Sequence, residues 1–160
     1  MNAAHLHLTL NHLPIVLVPT SVCIVLIGTW RSSLAITRLG LWLLIFAAIV
    51  VVPTFLAGGE AEEIVEHVAG ISQDAIEEHE EAADLALWMT ITSGLLSLCS
   101  LRAISCRARL ERLFVRATLS AGFVSSVLLG YTAFQGGKIR HPEAFIATST
   151  AAHVSSEKSD

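Results

Sequence analysis

The sequence predicts an all-α integral membrane protein, an antiparallel four-helix bundle. Three observations carry that expectation. Four apolar runs, 13–30, 39–57, 85–101 and 113–134, take up most of the 160 residues, and at 1.5 Å rise per residue each covers a hydrocarbon layer of roughly 30 Å. No charged side chain falls at mid-depth in any run. Composition agrees, with 53% hydrophobic residues, 15% charged and a mean hydropathy of +0.64, enough material for one compact bundle and no second soluble domain.

The net charge of −4 conceals a strong segregation. Ten of the fourteen acids lie within 60–84, while seven of the ten bases are Arg31, Arg38 and the five arginines of 102–116. Short basic loops stay cytoplasmic, so the expected topology puts both termini and the acidic 60–84 connection on the outer side. The first thirty residues hold no Lys or Arg, against the basic start of a secretory signal, so the first helix is expected to be retained. Cys23 and Cys99 fall within spans and Cys106 within a basic loop, which argues against a disulfide framework.

Spans are expected at about 13–30, 39–57, 82–101 and 113–134. In the first, Pro14 suits the opening turn, with Asn11 or His12 as its cap, and Pro19 one turn later should loosen the helix. The short 31–38 connection returns the chain antiparallel. Pro53 should bend the second helix before Gly58-Gly59 stops it. Residues 60–70 read as a short extracytoplasmic helix between helices 2 and 3, acidic at its start, with His67 in its last turn and Gly70 as its stop. Asp74 and Glu77 match a capping box that opens helix 3. In helix 4, Gly122, Ser126 and Gly130 recur at steps of four, a small-residue stripe that admits another helix closely, and Gly136-Gly137 should end it. Residues 1–143 form the expected membrane domain and 144–160 a polar tail.

All seven histidines, His5, His7, His12, His67, His79, His141 and His153, fall on the expected outer side, and the arginine-rich loops have none. At 100° per residue His79 shares a helix face with Ala83, Ala86, Thr90, Ser93 and Ser97, while Trp88, Leu95 and Leu98 point elsewhere. Small side chains suit a tight contact and bulky ones suit lipid, so His79 should point into the bundle. A lone histidine there is commonly a hydrogen-bonded packing residue. His12 is equally a cap, and His67, four residues after Glu63, is equally half of a surface acid–histidine pair. The acids of 60–84 read mainly as a solvated face.

Several chemistries are excluded. Glu80 follows His79, but a zinc-peptidase helix needs histidine at 83, where Ala83 stands. The di-iron Glu-x-x-His pattern fails at both His67 and His79, which follow Ile64 and Ile76. A Cys-x-x-Cys-His haem attachment site, a phosphate loop and a Gly-x-Ser-x-Gly elbow are missing from the sequence.

The segments His5-Leu-His7-Leu, Asn11-His12-Leu-Pro14, Gly59-Glu60, 63–67, 76–80 and Gly136-Gly137-Lys-Ile-Arg140-His141-Pro142-Glu143 together resemble a family of uncharacterised bacterial four-helix inner-membrane proteins, similar in layout to families found beside cytochrome and respiratory components. The resemblance spans roughly 4–143. It implies marked positions at His7, His12, His79 and His141, with Glu60, Glu80, Arg140 and Glu143 nearby, all at the outer surface of a bacterial inner membrane. It brings no established activity.

The leading expectation is a b-type haem at the outer end of the bundle. Bis-imidazole ligation needs two histidines at equal depth on opposing helices, which His12 and His79 supply, with His141 near them and Arg140 placed to pair with a propionate. A bare transition-metal ion held by His7, His12, His67, His79, His141 and Glu80 is the alternative. Either would serve electron transfer, with quinone in the lipid bilayer and a cytochrome or other carrier outside. Two expectations compete with it: a non-catalytic accessory subunit that packs into a membrane complex through the helix 4 stripe, and a Cu, Zn or Fe site held by His and Glu without porphyrin, for storage, delivery or sensing.

Overall fold

A computed structural model describes residues 9–65 and 73–140. It contains four long helices, α1 (His12–Trp30), α2 (Leu34–Val65), α3 (Gln73–Ser105) and α4 (Glu111–Arg140), and no strand occurs among the described residues. All four are long and apolar enough to cross a membrane. α1 packs on α2 and α4, and α3 packs on the same two. α1 and α3 therefore stand on one diagonal of an up-down bundle and α2 and α4 on the other. The start of α1, the end of α2, the start of α3 and the end of α4 share one end, the histidine end; seven of the eight arginines occupy the other, Arg140 being the exception.

The polarity of the cross-section is that of a protein dissolved in lipid. Ser21, Thr90, Ser93, Ser97, Ser100, Thr118 and Ser125 are fully buried, beside Val18, Val25, Leu41 and Leu44. Large apolar side chains face out instead, with Ile49 63% exposed and Trp88 61%. Water would penalise that arrangement, whereas lipid tails are indifferent to it and small residues let helix backbones approach. The face read for His79 is observed: Ala86, Thr90, Ser93 and Ser97 are buried, and Trp88, Leu95 and Leu98 are exposed.

Each seam has its own packing device. Along α3 and α4, Thr90 donates to the Ala86 carbonyl (2.7 Å) and Thr118 to that of Phe114 (2.9 Å). Ser125 and Ser100 must therefore donate in turn to Thr90 (2.6 Å) and Thr118 (2.9 Å). The other three seams use glycine. A Cβ on Gly40 of α2 would lie 2.6 Å from Val25 Cγ2 and 2.7 Å from Val25 N of α1, one on Gly94 of α3 would strike Ala48 of α2, and one on Gly122 of α4 would lie 2.7 Å from Val22 of α1.

Several elements differ from the sequence reading. Gly58-Gly59 does not stop α2, which runs on to Val65, so the described part of the expected short helix forms the last turns of α2. Residues 66–70 lie outside the described residues. α4 likewise runs through Gly136-Gly137 to Arg140. A helical glycine costs about 1 kcal/mol against alanine, too little to break a helix that packing and the membrane both support. Pro19 and Pro53 sit inside unbroken helices. Asn11 has helical dihedrals and makes no side-chain cap. α3 begins at Gln73, so Asp74 lies within the first turn, where its carboxylate complements the helix dipole. The stripe on helix 4 is divided: Gly122 is already used against α1, while nothing lies within 4 Å of a Cβ on Gly130.

Both turns at the arginine end close in the same manner. Ser33 N donates to Gly28 O (2.8 Å) and Ser32 N to Thr29 O (3.2 Å); Ala108 N donates to Ala103 O (2.9 Å) and Arg107 N to Ile104 O (3.3 Å). These are Schellman motifs, with Ser32 (φ 53°) and Arg107 (φ 48°) in the left-handed position that glycine usually fills.

Candidate functional site

His79 lies one and a half turns into α3, half-buried against the last turns of α4. Its Nδ1 is 3.1 Å from the Thr132 carbonyl oxygen. A carbonyl only accepts, so Nδ1 carries a proton and donates it here. The ring rests on the backbone of Gly136, where an added Cβ would stand 3.2 Å from Cε1. Gly136, read from the sequence as a helix stop, is thus what makes room for the imidazole.

Beside it, Glu78 reaches α4 from the same turn. Its Oε2 accepts from Gln135 Nε2 at 2.5 Å and lies 3.7 Å from Lys138 Nζ. Gln135 Nε2 also donates to Tyr131 Oη at 3.1 Å, and Lys138 stands 5.1 Å above the Phe134 ring. With its nitrogen committed to a carboxylate, the Gln135 amide cannot be reversed without setting oxygen against oxygen. Its Oε1 is therefore an acceptor, buried in a side chain 1% exposed and without a hydrogen-bond partner among the described residues. Asn11 Oδ1, at the entry to α1, is also a buried atom without a hydrogen-bond partner among the described residues, in a side chain that is only half-buried. A cavity of about 160 Å³ between Glu78, Glu81, Ala82, Leu85, Leu128 and Tyr131 opens next to this network.

His12 is the first residue of α1, exposed, at the same end as His79 but on the diagonally opposed helix. Glu80 is exposed on α3. Arg140 is the last residue of α4. His7, His67 and His141 lie outside the described residues, as do His5 and His153. No group of three or more His, Cys, Asp or Glu side chains that could hold a metal ion occurs among the described residues.

Gln135, Glu78, Tyr131 and Lys138 were not singled out by sequence reasoning. The available signal was Tyr131 and Gln135 four residues apart on one face near the end of an otherwise apolar helix.

These features, four membrane-length helices with a polar network gathered at one end, define a multi-pass membrane protein. The chain belongs to the family described as "Predicted membrane protein (DUF2231)", whose model matches residues 3–142. That stretch takes in every histidine except His153. A search of curated proteins and a search of solved structures each gave no match.

Proposed function

We propose that this chain is a membrane electron carrier holding a histidine-ligated centre at the histidine end, with His79 as its anchored ligand. The observation that carries the reading is the Nδ1–H bond from His79 to the Thr132 carbonyl. Histidines that ligate metals through one ring nitrogen almost always donate the other N–H to a carboxylate, carbonyl or water, which fixes the tautomer and raises ligand basicity.

A b-type haem is the form put first. His12 on α1 and His79 on α3, which stand on one diagonal of the bundle, are the two imidazoles that would hold it. The 160 Å³ cavity beside Glu78 is too small for a porphyrin, since pockets for ligands of that class run to several hundred Å³. His12 and His79 are the residues that would hold a haem, with Arg140 for a propionate and His141, outside the described residues, as a further candidate. A bare Cu, Zn or Fe ion needs less room and would draw on His7, His67, His141 and Glu80 beside His79. A haem, or a Cu or Fe ion, held there would supply one-electron chemistry between membrane quinone and an outer cytochrome; Zn, which is redox-inert, would not.

Protein purified in detergent should show a Soret band that shifts on reduction, or stoichiometric Cu or Fe by elemental analysis; stoichiometric Zn alone would overturn the electron-transfer role. His79→Ala should remove either signal while the size-exclusion profile stays that of the wild type. A colourless, metal-free wild type, or an unchanged His79→Ala variant, overturns the proposal.

We also propose that the arginine end faces the cytoplasm of a bacterial inner membrane, because Arg31, Arg38, Arg102, Arg107, Arg109, Arg112 and Arg116 gather there opposite a single acid, Glu111. Cys106 is exposed at that end. In intact cells a membrane-impermeant maleimide should leave it unlabelled, and label it once the membrane is opened; labelling of intact cells would reverse the orientation.

A further inference from the structure

At the arginine end, where α3 turns into α4, a groove of about 450 Å³ opens outward between the two helices. Leu98, Cys99, Ala103 and Phe114 line it, and Arg102 stands at its rim. Leu98 lies four residues before Arg102 on α3, about 6 Å deeper along the axis. The slot thus runs from an apolar floor to a guanidinium. Its surroundings continue both characters. Leu110 and Leu113 are exposed on the lipid-facing side, and Arg107, Arg109, Arg112 and Arg116 are exposed on the turn and the first turns of α4. None of these arginines is in an ion pair among the described residues.

We infer that this groove is a binding site for one anionic phospholipid, with an acyl chain in the slot and the headgroup phosphate on Arg102. The charge pattern selects the occupant. An apolar slot alone would accept any lipid chain, but a rim of unpaired guanidinium groups calls for a phosphate that carries no compensating cation. Guanidinium and phosphate match in a planar, two-bond geometry that an ammonium cannot reproduce, and basic pockets between membrane helices are established sites for anionic headgroups. The inference is independent of the histidine end, because it uses neither the residues nor the chemistry proposed there.

The test is lipid retention in nanodiscs made from equal parts phosphatidylglycerol and phosphatidylcholine, followed by delipidation and native mass spectrometry. The wild type should retain phosphatidylglycerol in preference, at one molecule per chain. Arg102→Gln should reduce that preference about five-fold, the order contributed by one basic residue near an anionic surface. Arg31→Gln, which removes the same charge at the same end but away from the groove, should leave it unchanged. Cys99→Trp fills the slot without altering charge and should abolish retention of either lipid there. Equal retention of the two lipids, equal losses in Arg102→Gln and Arg31→Gln, or retention that survives Cys99→Trp in a variant with a wild-type elution profile would each overturn the site.

Discussion

Gly40→Leu is expected to abolish the compact bundle. At this position the backbone of α2 meets that of α1: even a Cβ would lie 2.7 Å from Val25 N and 3.0 Å from the Ser21 carbonyl oxygen. Neither is the flexible end of a side chain, so the helices themselves must separate. Overpacking of this kind costs roughly 1–3 kcal/mol for a methylene or two and more for a full isobutyl group, against a total stability of about 5–15 kcal/mol. Gly40→Ala should show the graded version, a lowered Tm in detergent despite the ~1 kcal/mol that alanine brings to a helix. Gly130→Ala makes the same chemical change where nothing lies within 4 Å, and should melt at or slightly above the wild-type temperature. Thermal unfolding followed by circular dichroism checks all three; a wild-type melt for Gly40→Leu would disprove the close α1–α2 seam.

Gly136→Val should weaken the proposed centre without touching a ligand. The Cβ alone stands 3.2 Å from His79 Cε1, and the two γ-methyl groups reach further, so the ring must swing away from Thr132 and lose its Nδ1 bond. Loss of such a partner typically costs a ligating histidine 10- to 100-fold, roughly, in affinity. Gly137→Val is the control, since nothing lies within 4 Å of a Cβ there. Titration of the apo-protein with haem or with the metal found in the wild type should show weaker binding for Gly136→Val and wild-type binding for Gly137→Val. Equal affinities would mean that the Thr132 contact does not position the ring.

The helices and their lipid faces were legible because hydropathy and the 3.6-residue period are strong signals: Trp88, Leu95 and Leu98 sort outward and Thr90, Ser93 and Ser97 inward as the spacing requires. The inward half-burial of His79 followed from that same face. Helix ends were less legible. Gly58-Gly59 and Gly136-Gly137 read as stops, yet local propensity is a weak term beside tertiary packing, and Gly136 is occupied with seating an imidazole from another helix. Conversely, the turns at Ser32 and Arg107 use the left-handed conformation with no glycine to announce it. Partner identities were the least legible. That His79 meets Thr132 and Glu78 meets Gln135 depends on the axial register of α3 against α4, which no period along a single helix encodes.

The buried hydroxyls bear on what can travel through this protein. Ser93 and Ser97 donate to the carbonyls of Thr90 and Ser93, and Ser21 to that of Leu17. A carbonyl that receives such a hydrogen has none of its own to hand forward. The two hydroxyl-to-hydroxyl links in α3, at Thr90 and Ser100, are ten residues apart, about 15 Å along the axis. Among the described residues, then, the buried hydroxyls are satisfied within their own helix or in two separate α3–α4 pairs, and they form no continuous hydrogen-bonded chain along the bundle axis.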